Sequence, residues 1–271
     1  MYSLLIAVAA GALTGLGLGF GGVCGIGWSI TAGVATFLVV QVVVGRIVQK
    51  RVKAAMDAVQ AVLVDGQKRL QAKVARWQMQ MRSPGALQAA QAEMARDQKV
   101  FVREALERTE VLHKFDNWMP MMRRQIATAQ FQLYWGIKEF KKVDELMPKA
   151  LFFDPAMNAM KLARMYMTNQ PVEEMAKVYA KATRRLRYNQ NVLLAAAWSW
   201  ILIQKKDVDG AFKALNAALE KSDNETLKAN RDHLANNRVA HFSNTALGDQ
   251  WYALLLEEPR IHQQRMRPQW R

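Results

Sequence analysis

No Asp, Glu, Lys, Arg or His precedes Arg46 in this 271-residue chain. Cysteine is almost missing as well: Cys24 stands alone, which excludes a disulfide framework and any cysteine-rich zinc site. The four histidines, His113, His233, His241 and His262, are scattered and show no metal-ligand spacing. There is no phosphate loop, no G-x-S-x-G elbow and no H-E-x-x-H pair. Acidic pairs occur at Asp144-Glu145, Glu173-Glu174 and Glu257-Glu258, in helical contexts that look solvated. The chain therefore offers no catalytic residue, no cofactor site and no metal site, and is expected not to be an enzyme.

What fills the uncharged stretch is apolar. Two runs, roughly Leu4 to Phe20 and Trp28 to Gly45, flank the glycine-rich residues 21–27. A bilayer core of about 30 Å takes about 20 apolar residues per helix, so two spans with a tight turn are expected. A cleaved signal peptide would begin with a basic region, which Met1-Tyr2-Ser3 lacks, and a lipoprotein signal would place a small residue where Val23 precedes Cys24. Residues 17–22 spell G-x-G-x-x-G, but the dinucleotide motif requires an acidic residue about 20 positions on, and residues 37–45 contain none. Gly11, Gly15 and Gly19, spaced four apart, form a small-residue face suited to close helix packing. That face either seals the two spans against each other or joins copies of the chain.

Arg46, Lys50, Arg51 and Lys53 follow the second run directly, and basic flanks mark the cytoplasmic side. Localisation is accordingly a two-span membrane protein of bacterial inner-membrane type, with the bulk of the chain cytoplasmic. Residues 46–82 carry nine basic side chains against Asp57 and Asp65. Apolar residues recur there at Val48, Val52, Ala55, Val59 and Val62, then at Leu70, Val74, Trp77 and Met81, which is one face of a helix. Ser83-Pro84-Gly85 stops it, and a second helical pattern runs from Leu87 to Phe115. Helices of this length, about 55 and 44 Å, form either an antiparallel stalk or one strand each of a coiled-coil dimer. The net charge of +15 raises nucleic acid as a partner. Anionic lipid is the better match, since no nucleic-acid motif is present and the remaining charge is spread out, densest at Arg184-Arg185-Leu186-Arg187 and at Arg260, Arg265, Arg267 and Arg271.

Farther on, residues 132–155 contain Tyr134 in a first helix, Phe140 opening a second, Lys149-Ala150-Leu151 late in it, and Asp154-Pro155 closing the unit. Equivalent positions recur as Leu162-Ala163, Tyr166, Tyr179 and Lys181-Ala182 after Ala156, then as Trp198, Leu202, Val208, Ala211 and Ala218-Leu219 after Val192. The late alanine falls at Ala150, Ala182 and Ala218. The pattern resembles the tetratricopeptide repeat, with a period of about 34 residues. It covers about residues 121–222, with a degenerate helical pair to Glu258 as a cap. Two departures stand out: Phe131 occupies a position where the family has a small residue, and the closing proline is missing from the later copies.

The fold class expected is all-α, in three parts: a transmembrane hairpin at 1–45, a basic helical stalk at 46–115, and a TPR-like α-solenoid with cap and basic tail at 116–271. What the resemblance implies for function is a groove for a protein or peptide partner, lined by the first helix of each pair. Carried over by position, Gln132, Trp135, Met160, Arg164, Met167, Trp200 and Ile203 would line it, with Gln125, Thr128, Met157, Leu193 and Ala196. The same residues could equally pack against another helix of the chain. The function expected is a membrane-anchored scaffold. The alternative is a structural subunit that assembles through the glycine-rich hairpin.

Overall fold

A computed structural model describes residues 2–20, 26–80, 84–119, 121–184 and 186–259. The glycine-rich turn with Cys24, the Arg260–Arg271 tail with His262, and Arg185 lie outside the described residues. Regular structure is entirely helical among those described. The chain divides into two compact units, Met1–Leu151 and Phe152–Arg271. The division therefore lies well past the expected boundary at 115/116.

The first unit is built on one very long helix. α1 (Tyr2–Phe20) precedes α2 (Ile26–Gln80), which runs for 55 residues, about 82 Å, without a break. The expected junction between membrane span and stalk at 45/46 is a change of side-chain chemistry within α2, because nothing there interrupts helical hydrogen bonding. Gly11 faces Gly33 and Phe37, while Gly15 faces Ser29 and Gly33, so α1 lies antiparallel to α2. Both helices are long and apolar enough to cross a membrane. Their outer surfaces leave Leu5, Leu13, Phe20, Trp28, Ile30 and Val39 exposed, with Leu13 at 73% and Phe20 at 90%.

α3 (Pro84–Glu110) returns along α2, followed by a 3₁₀ turn at Val111–Phe115. Lys73 on α2 reaches Glu93 at 2.9 Å and also Asp97, and these hydrogen bonds, that to Asp97 first, hold its ammonium above the ordinary lysine range. The helical partner of α2 along this stretch is thus α3 of the same chain. Gly66 is buried in mid-helix because the Phe101 ring lies where a Cβ would stand. α4 (Met122–Gly136) and the short α5 (Phe140–Leu146) complete the unit. Leu133 and Ile137 join Val59, Val102, Ala105 and Leu106 in one apolar cluster, and Met122 and Ile126 join Val48, Val52 and Leu112 in another. These two clusters are why the helix pair expected as the first repeat belongs with the stalk.

The second unit stacks α6 (Pro155–Met167), α7 (Val172–Thr183), α8 (Val192–Gln204), α9 (Val208–Leu219), α10 (Glu225–Ala235) and a final turn, α11 (Asp249–Tyr252). α6 packs on both α7 and α8, α8 on α9, and α9 on α10. Pro155 opens α6, where a missing N–H costs nothing, and the side chains of Asp207 and Asn224 cap α9 and α10 by accepting from Gly210 N and Leu227 N. Small residues permit the close crossings: Ala159, Ala163, Ala195, Ala197 and Ala211 are wholly buried.

One backbone device recurs. α4, α6, α8 and α10 each end in a left-handed residue, Lys138, Asn169, Lys206 and Asn237. In each case the next N–H bonds five residues back, Glu139 to Tyr134, Gln170 to Met165, Asp207 to Leu202 and Arg238 to His233, at 2.7–3.0 Å. This is the Schellman geometry, which satisfies carbonyls the helix end would orphan and sets the reversal into the next helix. Glycine is the residue this conformation favours, and lysine pays about 1 kcal/mol there. Lys206→Gly should therefore raise the denaturation midpoint of the full chain, and Lys206→Val should lower it. Equal midpoints for the two variants would mean the cap is not formed.

Candidate functional site

The residues expected to line one groove are shared between the two units, Gln132 and Trp135 in the first and Met160, Arg164, Met167, Trp200 and Ile203 in the second. Gln132 is exposed on α4. Trp135 is not available to a partner: it is 3% exposed, stacked on Phe131 at 6.1 Å between centroids and edge-on to Phe140 at 5.8 Å. Phe131, the family departure, is itself fully buried and supplies that stack. Met157 and Ala196 are also buried, and Thr128 accepts the Leu151 N–H at 2.8 Å, closing the loop after α5.

Trp200 corrects the groove reading most directly. It is 8% exposed, with Tyr166 edge-on at 5.3 Å and Trp251 at 6.1 Å. Its indole N–H donates to Glu257 Oε1 at 2.7 Å, and Trp251 donates to Glu257 Oε2 at 2.8 Å. One carboxylate thus ties α8 to the segment after α11. Both oxygens accept a donor, the arrangement a half-buried charge requires. A second polar lock lies alongside. Asn244 donates to the Ala196 carbonyl at 3.0 Å and accepts from Asn230 at 2.8 Å, and Asn230 accepts from Ser243 N at 2.9 Å. The face of α8 expected to receive a peptide is filled by the chain's own C-terminal turns.

The sequence reading missed this set of Asn230, Asn244, Trp251 and Glu257. Glu257 looked solvated because its two donors are invisible locally, one of them 57 positions away. The usable signal was Trp251 beside Leu254 within the expected cap. What stays partly open is the strip of half-buried Met160, Arg164 and Met167 on α6 with Ile203 on α8. Lys161 on the same helix sits over the Phe152 ring at 4.9 Å, and burial, then the charge of Lys181, pushes its ammonium below the ordinary lysine value. On α7, Tyr179 stacks on Trp198 at 5.5 Å, and burial pushes its phenol up to about 12.

The membrane-packing candidates Gly11 and Gly15 face α2. A Cβ on Gly11 would lie 2.8 Å from the Gly33 carbonyl oxygen and 2.9 Å from Phe37 Cβ, whereas one on Gly17 meets nothing. Gly19 is looser, 3.8 Å from Ser29. Arg46, Lys50, Arg51 and Lys53 are all exposed on the first turns of α2 beyond its apolar part. Among the described residues no group of three or more His, Cys, Asp or Glu side chains could hold a metal ion. The chain matches no family model, and no curated protein or solved structure is significantly similar to it.

Two outcomes follow from this geometry. Truncating Trp200 to Ala should remove a buried aromatic and cost about 3–5 kcal/mol, and Glu257→Ala, which strands two buried indole donors, about 1–3 kcal/mol. Chemical denaturation of the full chain in detergent measures both, and an unchanged midpoint for Glu257→Ala would contradict the lock. Gly11→Val should force α1 from α2 at a cost of about 1–3 kcal/mol, while Gly17→Val leaves the melting of the detergent-solubilised chain unchanged. Equal melting of these two variants would contradict the α1–α2 contact.

Proposed function

We propose that this chain is a membrane-anchored scaffold. α1 and the apolar part of α2 span a bilayer, and the helical remainder holds a protein partner on the cytoplasmic side. The observation that carries the reading is α2, in which an exposed apolar stretch passes without a break into a basic, amphipathic one. A continuous helix is a rigid lever at about 1.5 Å per residue, and fixes the height of whatever packs along it. Residues with Lys and Arg directly beyond the apolar stretch favour a cytoplasmic location for that part. The scaffold is preferred over an assembly built through the glycine face, because Gly11 and Gly33 are already spent on the α1–α2 contact.

The partner surface is narrower than the repeat resemblance implied. With Trp135 and Trp200 buried, the surface is the strip Met160, Arg164, Met167 and Ile203. Methionine adapts to irregular apolar surfaces, so an apolar peptide segment fits best. The reading is tested in cells with the full chain. A periplasm-dependent phosphatase fused after Arg271 should be silent. A photo-crosslinking residue at Met167 should trap a discrete partner, and one at the exposed Lys213 on α9 should not. An active phosphatase would overturn the orientation, and equal labelling from both positions would overturn the surface.

A further inference from the structure

The loop between the 3₁₀ turn and α4 has a composition unlike its surroundings. Lys114-Phe115-Asp116-Asn117-Trp118-Met119 leads through Pro120 to Met121-Met122-Arg123-Arg124, an apolar tip between cations. Its one acidic side chain is neutralised: Asp116 Oδ2 accepts from Arg123 Nε at 3.0 Å and lies 3.1 Å from His113 Nδ1.

The height of this tip on the molecule is fixed by α1. The Tyr2 N–H donates to the Asn117 carbonyl at 2.7 Å, Ser3 Oγ donates to the Trp118 carbonyl at 3.1 Å, and the Tyr2 ring meets Trp118 edge-on at 5.6 Å. The first N–H groups of a helix have no internal partner, and in a bilayer each would be costly to leave open; here the loop's own carbonyls accept two donors at that end. From the α2 side, Phe115, Trp118 and Met119 pack, as does Val44, against the cluster that holds Val48 and Val52, and Val44 and Val48 bracket Arg46, the first charged residue. Both helices thus put the tip where the apolar stretch ends. At that level Met121 projects, 56% exposed and in a left-handed backbone conformation.

We propose that residues 115–119 and 121–122, between the 3₁₀ turn and α4, are themselves a membrane-interface element. Trp118 and Met121 enter the boundary between headgroups and acyl chains, and Lys114, Arg123 and Arg124 meet the phosphates of anionic lipid. The proposal rests on the reading that α1 and the apolar part of α2 span the bilayer. An amphipathic aromatic such as Trp prefers this depth, and each basic residue near an anionic surface adds attraction. The element gives the scaffold a third attachment beside its two helices and would fix the tilt of α2 against the membrane.

Depth measurements on the full chain decide the matter. The native cysteine is replaced by Cys24→Ser, and a polarity-sensitive fluorophore is placed singly at Leu13→Cys, Met121→Cys, Lys114→Cys or Arg69→Cys. The protein is reconstituted in vesicles of equal parts phosphatidylcholine and phosphatidylglycerol, with spin-labelled lipid carrying its quencher at the headgroup or deep in the chain. The deep quencher should extinguish the label at Leu13, and the headgroup quencher those at Met121 and Lys114, with a blue shift at Met121. The label at Arg69, far along α2, should respond to neither. Labels at both Met121 and Lys114 that behave like Arg69 while Leu13 is quenched would overturn this proposal and leave the spans standing. A label at Leu13 that no lipid quenches would overturn the membrane reading itself, and the interface element with it. Lys114 keeps the test valid if Met121→Cys disturbs the turn.

Discussion

The contact between Gly11 and Gly33 is the constraint on which the first unit depends. With no side chain on either residue the two backbones approach until a carbonyl lies where a Cβ would be, 2.8 Å away in both directions. That approach sets the register of α1 along α2, with the N-terminal end of α1 running toward the end of the apolar stretch of α2. From there the bonds to Asn117 and Trp118 draw in the loop before α4, and α4 then seats Met122 and Ile126 on Val48, Val52 and Leu112. A side chain at Gly11 would disturb each of these steps in turn. In lipid this logic is stronger than in water, since apolar side chains gain nothing by leaving a hydrocarbon solvent and close packing remains as the attraction.

The second unit solves a different problem. Helix pairs whose apolar faces cannot be buried alone must stack, and the last pair needs something to cover it. Here the cover is the C-terminal segment, held by Trp251 and by a carboxylate that accepts two indole hydrogens. Charged acceptors make hydrogen bonds about twice as strong as neutral ones, and a planar carboxylate fixes both rings at once. The consequence for function is subtractive: Trp200, an aromatic anchor that would have lined a peptide groove, serves the unit's own closure.

Much of the helical layout was legible in the sequence. Repeat spacing put helix starts near Ala156 and Val192, and α6 and α8 begin at Pro155 and Val192. The apolar runs marked α1 and the first part of α2 because hydropathy over about 20 residues is a local property. Three things were not local. The junction at 45/46 changes chemistry but not helical propensity, so the pattern suggested two elements where α2 is one. The helix pair α4–α5 looks like a repeat by spacing, yet Leu133 and Ile137 are claimed by Val59 and Val102. The two groove tryptophans, Trp135 and Trp200, proved buried for a general reason: a stripe of Trp, Met and Ala suits a core and an interface alike, and only long-range partners such as Glu257 separate the two.

The central claim, that α2 passes from lipid into water within a single helix, can be measured along the helix itself. In a Cys24→Ser background, single cysteines from Trp28 to Gln60 are exposed, in membrane vesicles whose cytoplasmic face points outward, to a thiol reagent that cannot cross lipid. The account predicts protection through Val43, a changeover between Val44 and Lys50, and reactivity beyond it at positions such as the exposed Gln60. Uniform reactivity from Trp28 onward, or a changeover displaced by two or more turns, would contradict it.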